Sequence, residues 1–322
     1  MSDATVTGAS AASGASDASA ASHASGASDA SAASAPSASS GALAESRAAV
    51  SPAIAARARQ LLDALDHAST LATFTAGDPS FDLAQAFAVA DELRRMRITR
   101  GEVPLGYKIG FTNRGIWARY GVFAPIWGPV WNTTVERVDT SETSVSLAPF
   151  AEPRLEPEIM FGLARSPEAG MSTGDLAGCI EWIAHGYEIV NTHFAGWRFA
   201  AADTVADFAL HGRLFVGPRV PLARFAEAGD VAAQLAKLRV TLCRDGQDVE
   251  EGGADIVLDG PLNALRLWVD AMSTQAVHWP IRAGDIVTTG TITDAAPLAP
   301  GECWQTRLSD PRLAGMTLRT TR

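Results

Sequence analysis

Residues 155–163 read "LEPEIMFGL", a run that is apolar except for two glutamates, Glu156 and Glu158, placed two residues apart. As a strand, whose successive side chains point to opposite faces, it puts Leu155, Pro157, Ile159, Phe161 and Leu163 on one apolar face. Glu156, Glu158, Met160 and Gly162 share the other face, with Arg154 just upstream. One face therefore joins a core, and the other aims two carboxylates at the same place. Like charges that close repel, and burying them is costly unless something positive lies between them. A solvated outer face with Arg154 as partner satisfies the same physics, so the stretch alone leaves both readings open.

The rest of the chain narrows the choice. Its 322 residues, 47% hydrophobic, suffice for one large core or two small ones. A net charge of −10 argues against a nucleic-acid or anionic-membrane partner. A small anionic substrate would then need local positive charge or a metal ion. Cys179, Cys243 and Cys303 lie far apart, odd in number and without a CxxC pair, which suggests neither a disulfide framework nor a zinc site. No apolar run is long enough to span a membrane. These features point to a reducing cytoplasm.

Residues 1–48 are dominated by Ala, Ser, Gly and Asp, and "GASDASAAS" occurs at 14–22 and again at 26–34. Such a segment has too little to bury to offset its ordering entropy, so it is read as a disordered tail. It lacks the basic start and apolar centre of a signal peptide, and where a transit peptide would carry several arginines its first is Arg47. An N-terminal helical segment is expected over 49–100 and a catalytic, metal-binding domain over 101–322. In the first, Ser51 reads as an N-cap, Pro52 as the first helical residue, and "DLAQAFAVADELRRMR" (82–97) as a second helix. Further helices are expected at about 173–184 and 261–272, and strands at about 213–217, 238–243, 285–291 and 303–308. Strands outnumber helices without alternating regularly with them, which favours α+β.

Two more stretches bear on chemistry. In "GYKIG" (106–110) a strand would put Lys108 on the same face as Gly106 and Gly110, an open floor where a ligand could reach the ammonium group. A surface lysine on a glycine-kinked edge strand is the plain alternative. In "HGYEIVNTH" (185–193) Glu188 interrupts another apolar run. With Glu156 and Glu158 it would complete three oxygen ligands suited to a hard ion such as Mg2+ or Mn2+. His185 and His193 lack zinc-site spacing and are left out of that shell. A GxSxG elbow, a P-loop and a strand-borne GxGxxG are all missing from the sequence.

"GYKIGFT", "EPEI", "YEIVNTHFAGWRFAAADTVAD", "GPLNALRLW" and "RAGDIVTTGTIT" follow one another in that order. From about residue 52 onward this ordered set resembles the 2-keto-4-pentenoate hydratase and 4-oxalocrotonate decarboxylase branch of the fumarylacetoacetate hydrolase superfamily. The resemblance implies a mixed β-sheet roll with flanking helices. It implies Mg2+ or Mn2+ held by Glu156, Glu158 and Glu188, with Lys108 beside the ion. It also implies that Gly290 and Thr291 hold a substrate carboxylate and that Asp203 is catalytic. Asp203 and Thr204 could equally start a helix, with Thr204 and Asp207 as a capping box. The chain departs from many relatives in having Phe208, Ala209, Leu210, His211 and Gly212 in place of a small polar run, and Asn191 and Arg198 in place of Asp and Lys.

The activity implied is a metal-dependent lyase on 2-keto or 2-enol acids in aromatic compound catabolism. Hydration of 2-hydroxypenta-2,4-dienoate comes first, and decarboxylation of 4-oxalocrotonate or hydrolysis of an acylpyruvate are the enzyme alternatives. Lys108 is the candidate proton carrier, and His211 a candidate for a second transfer beside its reading as a structural histidine. A homo-oligomer, dimer or higher, is expected, with a hetero-complex with a pathway enzyme as a further partner. A catalytically silent metal-binding subunit is the non-enzyme alternative.

Overall fold

The computed structural model describes residues 50–322, and the tail expected at the N-terminus lies outside them. The chain enters through two helices, α1 (Pro52–His67) and α2 (Leu83–Thr99). Ser51 caps α1 by accepting the N–H of Ile54, with Pro52 opening the helix, and Asp82 caps α2 by accepting from Gln85. Their apolar stripes, including Leu61, Phe87 and Leu93, share one core with Tyr107, Ile109 and Trp127 of the sheet beyond.

Among the described residues the strands form two sheets, of nine and five strands. The main path of the larger runs β2 (Ile126–Trp131), β1 (Pro104–Gly110), β11 (Ile286–Thr291), β5 (Pro153–Leu163), β6 (Ile180–Asn191), β7 (His211–Val216), β3 (Val135–Arg137). Short β12 (Ala296–Pro297) and β8 (Val220–Pro221) pair with β5 and β6. The smaller sheet orders β10 (Gln247–Gly253), β9 (Arg239–Arg244), β13 (Cys303–Leu308), β14 (Thr317–Thr321), β4 (Glu142–Ser146). Both sheets mix parallel and antiparallel pairs. The expected α+β architecture is the one observed.

Two expectations are corrected. The helix expected over 173–184 is only one short turn, α3 (Thr173–Ala177), and β6 begins at Ile180. Past Gly178 the run is rich in Ile, Trp and Tyr, fits a pleat buried on both faces, and pairs along nearly all of β5. Nor do the two glycines around Lys108 form one floor. Gly106 sits at φ +140°, and a Cβ there would lie 1.9 Å from the Ile286 carbonyl oxygen, so it serves close packing of β1 on β11. Gly110 alone faces the open space near Lys108.

The helix expected at 261–272 forms as α5 (Pro261–Ser273), after α4 (Ala201–Ala206), and buries Leu262, Leu265, Val269 and Met272. The large sheet sits against this core, and its centre, β11–β5–β6, carries the charged residues described next.

Candidate metal centre

Pairing of β5 with β6 sets Glu156 directly across from Glu188 and Glu158 across from Gly186. Directly opposed residues in an antiparallel pair share a face, and so do residues two apart on one strand. The three carboxylates are thereby gathered, with one oxygen from each within 4.8 Å of the others. Glu158 and Glu188 are fully buried. Lys108 arrives two strands away, in register with Thr288 of β11, which is in turn paired with Met160. Its Nζ lies 3.2 Å from Glu188 Oε2.

Neighbouring groups fix Glu158 and Glu188. Glu158 Oε2 accepts the N–H of Gly290 at 2.7 Å. Gly290 lies where the β11–β5 register slips, at φ +99°, and a Cβ there would come within 1.9 Å of Thr112 Oγ1. Glu188 Oε1 accepts from His211 Nδ1 at 2.8 Å, and His211 Nε2 meets the Thr134 hydroxyl at 2.8 Å. A register slip between β6 and β7 lets His211, rather than Gly212, pair with Val190. Such bulges re-aim side chains. Behind the site, His185 donates from Nδ1 to the Glu158 carbonyl and meets Thr306 Oγ1 through Nε2.

The electrostatics are those of an uncompensated acidic cluster. Burial raises Glu156 to about 8, helped by Glu158 and Glu188 and opposed by Lys108 and Arg154. Burial likewise holds Glu158 well above the usual carboxylate range, and Glu188 above it. Burial alone would lower Lys108, but the three glutamates outweigh it and hold the ammonium above its ordinary value. Burial pushes His211 well down, with Lys108 adding to the effect, so the ring is neutral and orients Glu188. Among the described residues, buried Glu158 Oε1 has no hydrogen-bond partner, and Glu188 Oε2 is met by the Lys108 ammonium alone. Three convergent buried carboxylates, one oxygen of them orphaned and a single lysine as counter-charge, fit a hard divalent cation with oxygen ligands.

A cavity of about 370 Å³ opens onto Lys108 and Glu156 and is walled by Ile126, Val190, Ala209 and Leu210. Phe208, Ala209 and Leu210 stand at φ +54°, +51° and +64°, three non-glycine residues in succession in the left-handed region. Each costs about 1–2 kcal/mol, and the turn is held by the buried Phe208 ring against Arg97 and His193. The departure noted at 208–212 is therefore a strained wall of the cavity plus the histidine behind Glu188.

Other expected site residues are placed differently. Asp203 is fully buried in the first turn of α4, where its carboxylate accepts from Ala200 N, Thr75 N and Thr75 Oγ1, so it ties α4 to the N-terminal segment. The alternative capping box is not formed either. Ala200 is the N-cap, and Asp207 accepts from His193. Gly290 spends its N–H on Glu158 rather than on a substrate carboxylate. Thr291 lines the cavity, but its hydroxyl donates to the Thr293 carbonyl at 2.9 Å. Asn191 bonds to the Glu152 N–H and to His193. The reading missed Thr134, for which the sequence carries no signal.

No family model matches the chain. Over 250 residues it is 28% identical to 2-hydroxyhexa-2,4-dienoate hydratase of Comamonas testosteroni, covering 77% of this chain and 91% of that one. A 4-oxalocrotonate decarboxylase of a Pseudomonas species is 28% identical over 225 residues, 70% of this chain and 82% of its own. Among solved structures, 4-oxalocrotonate decarboxylase from Pseudomonas putida G7, complexed with magnesium and adipate, aligns with a TM-score of 0.75 at 26% identity. That alignment covers 83% of this chain and 97% of the other. Fumarylpyruvate hydrolase from Pseudomonas aeruginosa shares the fold, with a TM-score of 0.50 at 13% identity over 67% of this chain and 88% of its own.

Proposed function

We propose, from the chain's kinship with the 2-keto-4-pentenoate hydratase and 4-oxalocrotonate decarboxylase branch of the fumarylacetoacetate hydrolase superfamily, that it is a divalent-cation-dependent lyase. Its substrates are 2-keto or 2-enol acids, and its reaction is hydration of a 2-hydroxypenta-2,4-dienoate-type compound to a 4-hydroxy-2-oxo acid. The observation that carries this reading is the convergence of Glu156, Glu158, Glu188 and Lys108 at a cavity that Glu156 and Lys108 line, with Glu158 Oε1 unpartnered.

Glu156, Glu158 and Glu188 would hold Mg2+ or Mn2+, which supplies Lewis acidity to the 2-oxo acid end of the substrate. Gly290 and His211 keep Glu158 and Glu188 in place, the role that outer partners of ligands commonly have. Lys108 is the only cationic side chain within salt-bridge distance of the trio among the described residues. It also lines the cavity, so it is the group placed to carry a proton to and from substrate carbon. Ile126, Val190, Ala209 and Leu210 keep bulk water from the carbon chain.

The same reading takes residues 49–100 as a helical segment packed on a catalytic domain of 101–322. It places the chain in the cytoplasm as a homo-oligomer, with a pathway enzyme as a further partner. Among the described residues no helix is long and apolar enough to cross a membrane. Purified protein given 2-hydroxypenta-2,4-dienoate and Mg2+ should remove the dienol ultraviolet absorbance and form 4-hydroxy-2-oxopentanoate. A stable absorbance with the cation present would overturn the hydratase reading.

A further inference from the structure

Four aromatic side chains in the wall of the cavity meet in an unbroken series: Phe111, Tyr120, Phe199 and Trp197. Ring centroids lie 5.2 Å apart from Phe111 to Tyr120, 5.6 Å from Tyr120 to Phe199 and 5.9 Å from Phe199 to Trp197. Both ends of the series reach the charged groups of the site. Phe111 follows Gly110, the last residue of β1, on which Lys108 stands. Trp197 lies under the Arg154 guanidinium at 4.3 Å, and Arg154 is next but one to Glu156 on β5. Arg154 opposes the rise of the Glu156 carboxyl, so it belongs with the metal centre.

The loops that carry the rings are pinned. Trp197 donates from its indole N–H to the Glu152 carbonyl at 3.1 Å, and the Glu152 carboxylate accepts the N–H of Gly196. On the other loop Trp117 donates to the Phe111 carbonyl at 2.7 Å, and Leu258 donates its N–H to the Thr112 carbonyl at 2.9 Å. Phe111 and Trp197 stand at φ +52° and +57°, in the left-handed region that non-glycine residues seldom occupy. Backbone held there clusters at ligand clamps. Nor are the four rings ordinary core: Phe194 and Trp268 are fully enclosed, whereas these four are half-buried and form cavity wall. A cavity of about 370 Å³ falls in the range that holds drug-sized ligands, well beyond the needs of a five-carbon acid. The aliphatic wall of Ile126, Val190, Ala209 and Leu210 suffices for the dienoate chain, which leaves the aromatic series for a further group. Fixed aromatic faces favour offset or edge contact with another ring.

We infer that Phe199, between Tyr120 and Trp197, is a specificity-determining residue, and that the natural substrate is a 2-hydroxypenta-2,4-dienoate bearing an aryl group at C5. Its 2-oxo acid end goes to the metal centre, and its aryl ring packs against Phe199 and Tyr120. This rests on the lyase reading for the chemistry at the first end, and adds what the rest of the substrate is.

Binding rather than turnover tests it. 2-Oxopentanoate and its 5-phenyl and 5-cyclohexyl derivatives can each be titrated calorimetrically into the Mg2+-supplemented protein. The parent should bind the phenyl acid at least about tenfold more tightly than 2-oxopentanoate, from burial of the ring. It should also prefer the phenyl acid over the cyclohexyl acid about three- to tenfold, because the saturated ring is apolar but has no π face. Phe199→Leu should bring that second ratio to within about twofold of one, and Phe199→Tyr, which keeps a ring, should retain it. Melting curves verify that the variants are folded. Equal affinity of the parent for the phenyl and unsubstituted acids, or for the phenyl and cyclohexyl acids, would overturn the inference. So would a ratio kept in Phe199→Leu, or no binding of any of the three. A parent that prefers the phenyl acid but leaves 2-hydroxypenta-2,4-dienoate unchanged would instead strike the lyase reading, so the two failures are separable.

Discussion

Glu156→Gln should stabilise the protein when divalent ions are removed and destabilise it, relative to the parent, when they are restored. Burial and two neighbouring glutamates raise the Glu156 carboxyl from 4.5 to about 8. A carboxyl whose folded pKa is raised binds a proton in the folded chain that the unfolded chain has released. Stability therefore falls as pH rises between 4.5 and 8. At pH 7.5 the full penalty would be about 4 kcal/mol. Glu156 is only half-buried, so solvent screening reduces this to roughly 2 kcal/mol. Glutamine keeps the shape and abolishes the penalty. In a chelator at pH 7.5 the variant should melt about 4–8 °C above the parent, at the 2–4 °C per kcal/mol of a domain this size. At pH 4.5 the two should coincide. With Mn2+ at about a hundred times its Kd, the parent should gain about 2.7 kcal/mol and overtake the variant, whose gain is smaller. Differential scanning fluorimetry across these conditions reads the crossover. A variant that melts below the parent in chelator, or that gains as much from Mn2+, would refute the reasoning.

Lys108→Met should cut kcat by orders of magnitude while metal affinity holds or rises, because a positive charge beside the cation is gone; a change confined to KM in steady-state kinetics would make the lysine an anchor instead. His211→Ala should leave Glu188 unsupported and weaken Mn2+ binding about 10- to 100-fold by calorimetry, and an unchanged affinity would remove its positioning role. Burial pushes His185 down to about 4 from 6.5, so the unfolded chain takes up its proton first as pH falls. The parent should therefore lose stability from pH 6.5 towards 4, by up to about 3 kcal/mol, in urea denaturation. His185→Gln should flatten that limb of the profile, and an equally steep limb in the variant would contradict the assignment.

Where one physical signal dominated, the sequence was legible. Caps and stripes placed α1, α2 and α5, and the alternation in 155–163 placed β5 with both glutamates on one face. The trio itself needed pairing of β5 with β6, which no local pattern encodes; ordered motifs supplied it by resemblance. "TGDLAGCIEWIA" misled because a one-turn helix ending at Ala177 and a strand starting at Ile180 are divided only by Gly178 and Cys179. Asp203 and Gly290 stand in motif positions, yet their hydrogen bonds go to Thr75 and Ala200 and to Glu158. Which partner a buried polar group finds is a tertiary fact. Bulges hid most of all. The slip at Gly212 decides that His211 faces Glu188, and a one-residue slip leaves no periodic trace.

That the three glutamates form a cation centre is tested most directly by titrating Mn2+ into chelator-treated protein. Calorimetry should find one ion per chain in the parent and at least tenfold weaker binding in Glu158→Gln, which loses one charge but keeps its shape. Circular dichroism and the melting curve should show the variant folded. Equal affinity in the folded variant, or no ion bound by the parent, would contradict the account.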